Sequence, residues 1–294
     1  MDARAGCQCP ELRSTTTPAI LRGWVRFAEE HGFALAMLSD HVAPTTDVVA
    51  QYPSPFYDPF TTLAWLGGLT TRLRLGTTVT ILPYRHPLLT ARAAANIDRF
   101  TGGRFVLGVG VGWSRLEYRA LGVSFRDRGR ITDEYLAAII DAWTNDVVSH
   151  DGPTVTYDHV CTGPRPVASP HPPVWVGGAS PAAIRRAARF GDAWHPVNAD
   201  LAWLRATGLP ALRAAAAELG RPMPAFAPRI RARRTVGDLD AVDRPIGVGS
   251  LAQIRADVDA LVELGATQII LDTNPDDPRD RRVRRGLADA RRHR

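Results

Sequence analysis

Residues 172–196 read PPVWVGGASPAAIRRAARFGDAWHP, and this stretch alone holds a complete strand–helix–strand unit. Pro173 to Val176 is a short apolar strand that stops at a pair of glycines. Pro181 to Phe190 follows as a helix with proline in its first turn, where the missing N–H costs nothing. Asp192 to His195 then returns as a strand. Repetition of this unit is the signature of a parallel sheet wrapped by helices. Because Gly177, Gly178, Ala179 and Ser180 lead straight into the helix, its free N–H groups and the positive end of its dipole form a site for an anion such as a phosphate. The plainer reading of the same residues is a well-capped helix with Ser180 as N-cap.

The same alternation extends in both directions. Upstream, residues 3 to 9 are a weak first strand and Pro18 to His31 a helix stopped by Gly32. Phe33 to Leu38 is a buried strand, Tyr57 to Leu69 a helix, Leu73 to Leu82 a β-branched strand, Leu88 to Phe100 a helix and Arg104 to Val109 the fourth strand. Ile131 to Thr144 is an amphipathic helix. Downstream, Leu201 to Leu219 is helical, Ala225 to Arg231 a seventh strand, Ser250 to Leu264 a helix capped by Ser250, and Gln268 to Asp272 the eighth strand, before an Arg-rich last helix over 279–294. Eight right-handed units close into a (β/α)8 barrel, and 294 residues suit one such domain spanning 1–294, given the roughly 250 residues typical of the fold. Two Pro-rich connections, Val42 to Phe56 and Gly152 to Pro172, are long enough to build a binding surface at the C-terminal face.

Composition narrows the function. Hydrophobic residues make up 45% and charged residues 22%, and no run approaches the ~20 apolar residues of a membrane span. The opening residues lack a secretory pattern, and Cys7, Cys9 and Cys161 suit reduced thiols better than disulfides or a zinc site, so a cytoplasmic enzyme is expected. The net charge of +6 comes from 36 arginines without a lysine, scattered over helix faces rather than gathered into a nucleic-acid patch. Absence of lysine removes Schiff-base chemistry and the Walker A motif. No metal motif or glycosidase-like carboxylate pair is apparent.

Residues that could carry chemistry leave the strand ends. Ser39-Asp40-His41 emerges from the second strand at the barrel mouth, where an imidazole can face a central ligand; a capped turn with a solvated histidine reads equally well. Gly110-Val111-Gly112 ends the fourth strand with backbone left open to a flat ligand, or simply turns the chain. It is no dinucleotide fingerprint, because the third glycine and the acidic residue are out of place. His86 reads as a helix-start residue.

Taken in order, these segments resemble the luciferase-like superfamily, specifically its F420-dependent oxidoreductases. The likeness rests on AEEHGF then SDH, YDPFTTLAWLGGLTTRLRLGT, RHPLLTARAAANIDRFTGGRFVLGVGVGW and PPVWVGGASPAAIRRAARFGDAWHP, which together span most of the chain. The resemblance implies a deazaflavin, coenzyme F420, held at the barrel mouth, with a non-prolyl cis peptide between Thr78 and Val79 supporting the ring. It further implies Asp40 and His41 near the ring, Gly110, Val111 and Gly112 along its pyrimidine edge, Gly177 to Ser180 on the phosphate, and Trp194 beside the cofactor tail.

Two departures shape the expected reaction. In the sugar-phosphate and secondary-alcohol dehydrogenases of that group a tryptophan follows the Asp-His pair and a glutamate follows the Gly-x-Gly; here those places hold Thr45 and Trp113. With the usual acidic companion of His41 missing, an apolar pocket lined by Thr45 and Trp113 points to reduction of a C=C, C=N or C=O bond, with His41 as the catalytic proton donor. Alternatives are an FMN-dependent monooxygenase fed by a flavin reductase, and an inactive flavin-binding or accessory barrel. Relatives usually pair, so a homodimer is expected, using the apolar bulk of helix 57–69 (Phe60, Leu63, Trp65, Leu66).

Overall fold

The computed structural model describes residues 3–9, 16–52, 55–240 and 244–274. The first half runs β1 (Arg4–Gln8), α1 (Pro18–Glu30), β2 (Leu35–Leu38), α2 (Thr46–Gln51), α3 (Pro59–Gly67), β3 (Arg74–Thr77), β4 (Thr80–Ile81), α4 (Pro87–Thr101), β5 (Phe105–Gly110), α5 (Arg115–Ala120) and α6 (Arg128–Thr144). An outer hairpin, β6 (Val147–Asp151) with β7 (Thr156–Cys161), comes next. The second half runs β8 (Val174–Gly177), α7 (Pro181–Phe190), β9 (Ala193–His195), α8 (Leu201–Trp203), α9 (Leu209–Glu218), β10 (Ala225–Phe226), β11 (Arg229–Arg231), β12 (Arg233–Arg234), β13 (Val248–Gly249), α10 (Leu251–Glu263) and β14 (Gln268–Asp272).

The main sheet is parallel, and its pairings return on themselves. Ten segments pair in the order β10-β9-β8-β5-β3-β2-β1-β14-β11, with β4 also on β5. The two ends, β10 and β11, are halves of one strand split at Ala227-Pro228, where proline has no N–H for the ladder. Counting β10 with β11 and β3 with β4 as single strands leaves eight, so the sheet closes into the expected barrel. Along β2 the side chains alternate: Leu35 and Met37 join Val106, Trp175, Ala193, Ala227 and Ile270 inside the barrel, while Ala36 and Leu38 face the helix layer. Burial of such alternating apolar faces is the main force holding the two layers together.

Caps fix the helix starts where the sequence places them. Thr17, Ser180 and Ser250 accept from N–H groups three residues on, the last within a capping box with Gln253. Gly102 ends α4 in the left-handed conformation at φ 66°.

Several elements differ from expectation. The third strand is interrupted between Thr77 and Thr80, and the non-prolyl cis peptide expected between Thr78 and Val79 is present there. Helix 201–219 contains a π turn over Leu204–Gly208, in which the Leu209 N–H reaches back to the Leu204 carbonyl just ahead of Pro210, whose own N–H is missing. The connection 152–172 holds strand β7 and follows a helix, which returns it to the strand-start end of the barrel. There the Val167 and Ala168 N–H groups donate to Asp98 on the last turn of α4, at 2.7 and 2.9 Å, far from the mouth. In α3, Phe60, Leu63 and Leu66 are consumed by the molecule's own core, and of the four residues expected to pair only Trp65 stays exposed. No helix among the described residues is long and apolar enough to cross a membrane. The Arg-rich tail helix lies outside the described residues.

Candidate active site

A cavity of about 430 Å³ opens where the strands β2, β3, β5 and β8 end, within the roughly 300–1,000 Å³ of small-molecule sites. Asp40, His41, Thr78, Val79, Gly110 to Trp113 and Gly177 to Ser180 all border it. So do Tyr52 and Phe56, from the first long loop, and Arg186 and Arg229. Two expected residues stand elsewhere. Trp194 is wholly buried behind the wall, where its Nε1–H donates to the Gly178 carbonyl at 2.8 Å, so it braces the Gly177–Ser180 turn from behind rather than bordering the cavity. Thr45 lies outside the lining; its hydroxyl bonds Asp47 and Ser114, at 2.5 and 3.2 Å, tying the loop after β2 to the start of α5.

The expectation that His41 lacks an acidic companion is overturned. Glu117, fully buried on α5, meets His41 Nδ1 through Oε2 at 2.6 Å, and its Oε1 accepts the N–H groups of Val42 and Ala43 at 2.8 and 3.0 Å. Burial works to raise the Glu117 carboxyl, but the hydrogen bonds from His41 and the two backbone N–H groups hold it below the usual carboxylate range. An ionised Glu117 requires the hydrogen on His41 Nδ1, which leaves Nε2 as the atom that exchanges a proton. Nε2 has no protein partner among the described residues, and His41 borders the cavity. Phe56 and Trp113 meet the imidazole edge-on, with centroids at 4.9 and 6.0 Å. The sequence does carry a signal for Glu117: Ser114-x-x-Glu117 is a helix-start pattern, and Ser114 Oγ accepts the Glu117 N–H at 3.0 Å.

Asp40, which borders the cavity, is committed to protein partners. Arg85 grips it with two bonds of 2.6 and 2.8 Å, and the Ile81 N–H donates to it at 2.9 Å, so this carboxylate pins the segment after the cis peptide. Thr78 is fixed from behind by residues with no local sequence signal. His195 donates from Nδ1 to the Ala227 carbonyl at 2.5 Å and accepts the Thr78 hydroxyl on Nε2 at 2.9 Å. Full burial, helped by nearby Arg229 and opposed by the Ala227 carbonyl, pushes the imidazole pKa down to about 4, so it is neutral. Arg229 Nη1 donates to the Thr78 carbonyl at 3.0 Å while Nη2 pairs with Asp272 at 2.6 Å.

The glycines have a packing reason. A Cβ on Gly110 or Gly177 would press on the Val79 side chain, at 2.6 and 3.0 Å, so these two glycines make room for an isopropyl shelf in the centre of the mouth. At one side of that shelf Gly178, at φ 98°, turns the chain into α7, where Pro181 has no N–H, Ser180 Oγ accepts the Ala183 N–H at 3.2 Å and the Ala182 N–H has no partner in a preceding turn. Arg186, one turn further in, borders the same end and is held by Asp133 at 2.5 Å and by the Gly129 carbonyl at 3.0 Å. A flat ring on Val79 and a phosphate at the start of α7 fit this wall. Among the described residues no group of three His, Cys, Asp or Glu is placed to hold a metal ion.

The family model for luciferase-like monooxygenases matches residues 6–242. A phthiodiolone/phenolphthiodiolone dimycocerosates ketoreductase of Mycobacterium tuberculosis is 32% identical over 194 residues, 65% of this chain and 51% of that relative, so the match spans about half of the ketoreductase's length. The fold is shared with an F420-dependent secondary alcohol dehydrogenase solved with an F420-acetone adduct, at a TM-score of 0.78 and 18% identity over 94% of this chain and 95% of that one. It is shared as well with the oxygenating constituent of 3,6-diketocamphane monooxygenase from Pseudomonas putida, solved with FMN, at a TM-score of 0.75 and 17% identity over 93% and 92%.

Proposed function

Because this chain belongs to the luciferase-like monooxygenase family, we propose that it is an oxidoreductase that uses coenzyme F420 to reduce the carbonyl of an apolar substrate. The observation that carries the reading is the His41–Glu117 pair at the cavity wall. Reduction of a carbonyl by hydride leaves an alkoxide oxygen that needs a proton, and an imidazole held at Nδ1 by a buried carboxylate delivers it from Nε2. Ionised Glu117 keeps a hydrogen on Nδ1 and faces the imidazolium that donates from Nε2, which the transfer leaves as the neutral ring. Phe56 and Trp113 restrict the imidazole's rotation and keep water from its edges.

Val79 would hold the face of the cofactor ring, Gly110 to Gly112 its edge, and Gly177 to Ser180 with Arg186 its phosphate. When bound in reduced form, the deazaflavin supplies the hydride that, with one proton from His41, converts C=O to CH–OH. The ketoreductase relative supports the carbonyl assignment, and the dehydrogenase neighbour supports the cofactor. The second reading, FMN with oxygen and a partner flavin reductase, is supported by the diketocamphane neighbour.

The test is a titration of the purified protein with oxidised F420 and with FMN side by side, followed by tryptophan quenching, since Trp113 borders the cavity. F420 should saturate at low micromolar concentration and bind more tightly than FMN. Equal or tighter FMN binding rejects the cofactor assignment.

A further inference from the structure

Behind the cavity wall a small cluster of side chains stands apart from the main core: Ile81, Tyr84 and Tyr118, with Phe125 at its edge. The two phenols meet edge-on, with ring centroids 4.8 Å apart, but their hydroxyls are placed differently. Tyr118 Oη donates to the Val111 carbonyl at 2.6 Å. Tyr84, in the 3-10 turn Leu82–Tyr84 after β4, is 8% exposed, and its buried hydroxyl has no protein partner in ordinary hydrogen-bond geometry among the described residues. A buried hydroxyl left in this way is costly, so its place needs a reason. Packing alone gives none, because phenylalanine would fill the same space without the orphan oxygen.

The acceptor group that this hydroxyl stands against is the Glu117 carboxylate. Burial, and after it the Glu117 charge, push the Tyr84 phenol well above its ordinary value, so it keeps its hydrogen and can only donate. Glu117 accepts from His41 Nδ1 at 2.6 Å and from the Val42 and Ala43 N–H groups at 2.8 and 3.0 Å. A carboxylate offers about four lone-pair sites, which leaves room for one donor more. A Cβ on Gly112 would come within 3.3 Å of the Tyr84 oxygen, so the wall there stays free of a side chain beside the hydroxyl.

We propose that Tyr84 is a positioning residue for the His41–Glu117 pair: its hydroxyl is a further donor to the Glu117 carboxylate, drawing negative charge from it and easing release of the Nε2 proton by the imidazolium. The inference deepens the reading of that pair as the proton donor and rests on it. The added bond is strongest once His41 has given up its proton, when the carboxylate has least positive charge beside it. Neutral His41 is thereby favoured over the cation. The charged groups on the surrounding elements are matched among themselves and keep their charge when the hydroxyl is removed. Asp40 and Asp58 meet Arg85, Asp47 is held by the Thr45 and Ser114 hydroxyls, and Arg115 and Arg128 lie over the Phe125 ring. On the cavity side Arg186 meets Asp133 and Arg229 meets Asp272.

The test follows the His41 ring by NMR through a pH titration of the purified full chain, with its signal identified among the eight histidines by its loss in His41→Asn. In Tyr84→Phe the midpoint should rise by about half a unit to one unit. This is a fraction of what a charge-assisted hydrogen bond contributes, because the bond exists in both states of the imidazole and only its strengthening counts. A fluorinated tyrosine placed at position 84 alone keeps the packing and donates more strongly, so it should move the midpoint the other way. Glu117→Gln removes the carboxylate and should lower the midpoint by about one unit or more. A midpoint within about a tenth of a unit of wild type in both Tyr84 variants, with Glu117→Gln still shifting it, overturns the inference and leaves Tyr84 a packing residue. A midpoint indifferent to Glu117→Gln rejects the pair itself, and this inference with it. Neither measurement uses the cofactor, so weak F420 binding bears on the cofactor assignment alone.

Discussion

Replacing His195 by glutamine tests whether the imidazole beneath the cavity is neutral because of where it is buried. The wild-type ring is fully enclosed, with both nitrogens committed, Nδ1–H to Ala227 and Nε2 to the Thr78 hydroxyl. Its pKa falls from 6.5 to about 4, with burial the largest cause. The unfolded chain then takes up this proton more readily than the folded one, so the contribution to stability is complete above about pH 6.5 and is lost as pH falls toward 4. The full difference corresponds to about 3 kcal/mol, and about 2 kcal/mol of it is gone by pH 5. His195→Gln keeps an amide N–H for Ala227 and an oxygen for Thr78 but does not titrate. Urea unfolding of both proteins at pH 7.5 and pH 5.0 gives the comparison, and the wild type should lose about 2 kcal/mol more than the variant. Equal losses would refute the reasoning, because the ring would then be as easily protonated inside the fold as outside.

Other consequences are equally open to measurement. Glu117→Gln presents an amide N–H to His41 Nδ1 and forces the wrong tautomer, so turnover should fall by about 10² to 10⁴ while cofactor affinity holds; turnover within twofold of wild type removes the pair from the chemistry. Glu117 is held below the ordinary carboxylate range, so its stabilising contribution persists above that range and disappears only as pH falls through the lowered value. Gly178→Asp places a carboxylate at the start of α7 and should weaken cofactor binding at least tenfold, about 1.4 kcal/mol, with the melting temperature checked on the same sample; unchanged affinity in a folded variant moves the phosphate elsewhere. The proposed homodimer should appear in sedimentation as twice the 32.0 kDa chain mass and should weaken in Trp65→Glu; a monomer at micromolar concentration defeats it.

The barrel was legible because each unit is written in local terms: apolar strands, glycine stops, Ser and Thr caps, and proline where a helix begins. Pairing across the mouth has no such local code. Position 113, directly after Gly-x-Gly, holds Trp113, and the carboxylate that meets His41 comes from Glu117, in the first turn of α5. His195 and Arg229 reach Thr78 from other strands, at separations of 117 and 151 residues, and nothing near either residue marks the meeting. Trp194 differs from its expected place by one face of its strand: neighbours in a strand point to opposite sides, and Trp194 faces the helix layer while His195 faces in. The hairpin β6–β7 carries no such signal, because its strands are mostly exposed and lack the apolar runs that mark the barrel strands.

The place of Glu117 bears on how such a protein can diversify. In the proposed reaction, proton handling is anchored on a buried helix and held by backbone groups of a neighbouring loop, while Trp113 meets the imidazole edge-on from the rim. The carboxylate and the entrance are thus carried by separate segments. Substitutions at 113 can reshape the opening while Glu117 keeps its hold on His41 Nδ1.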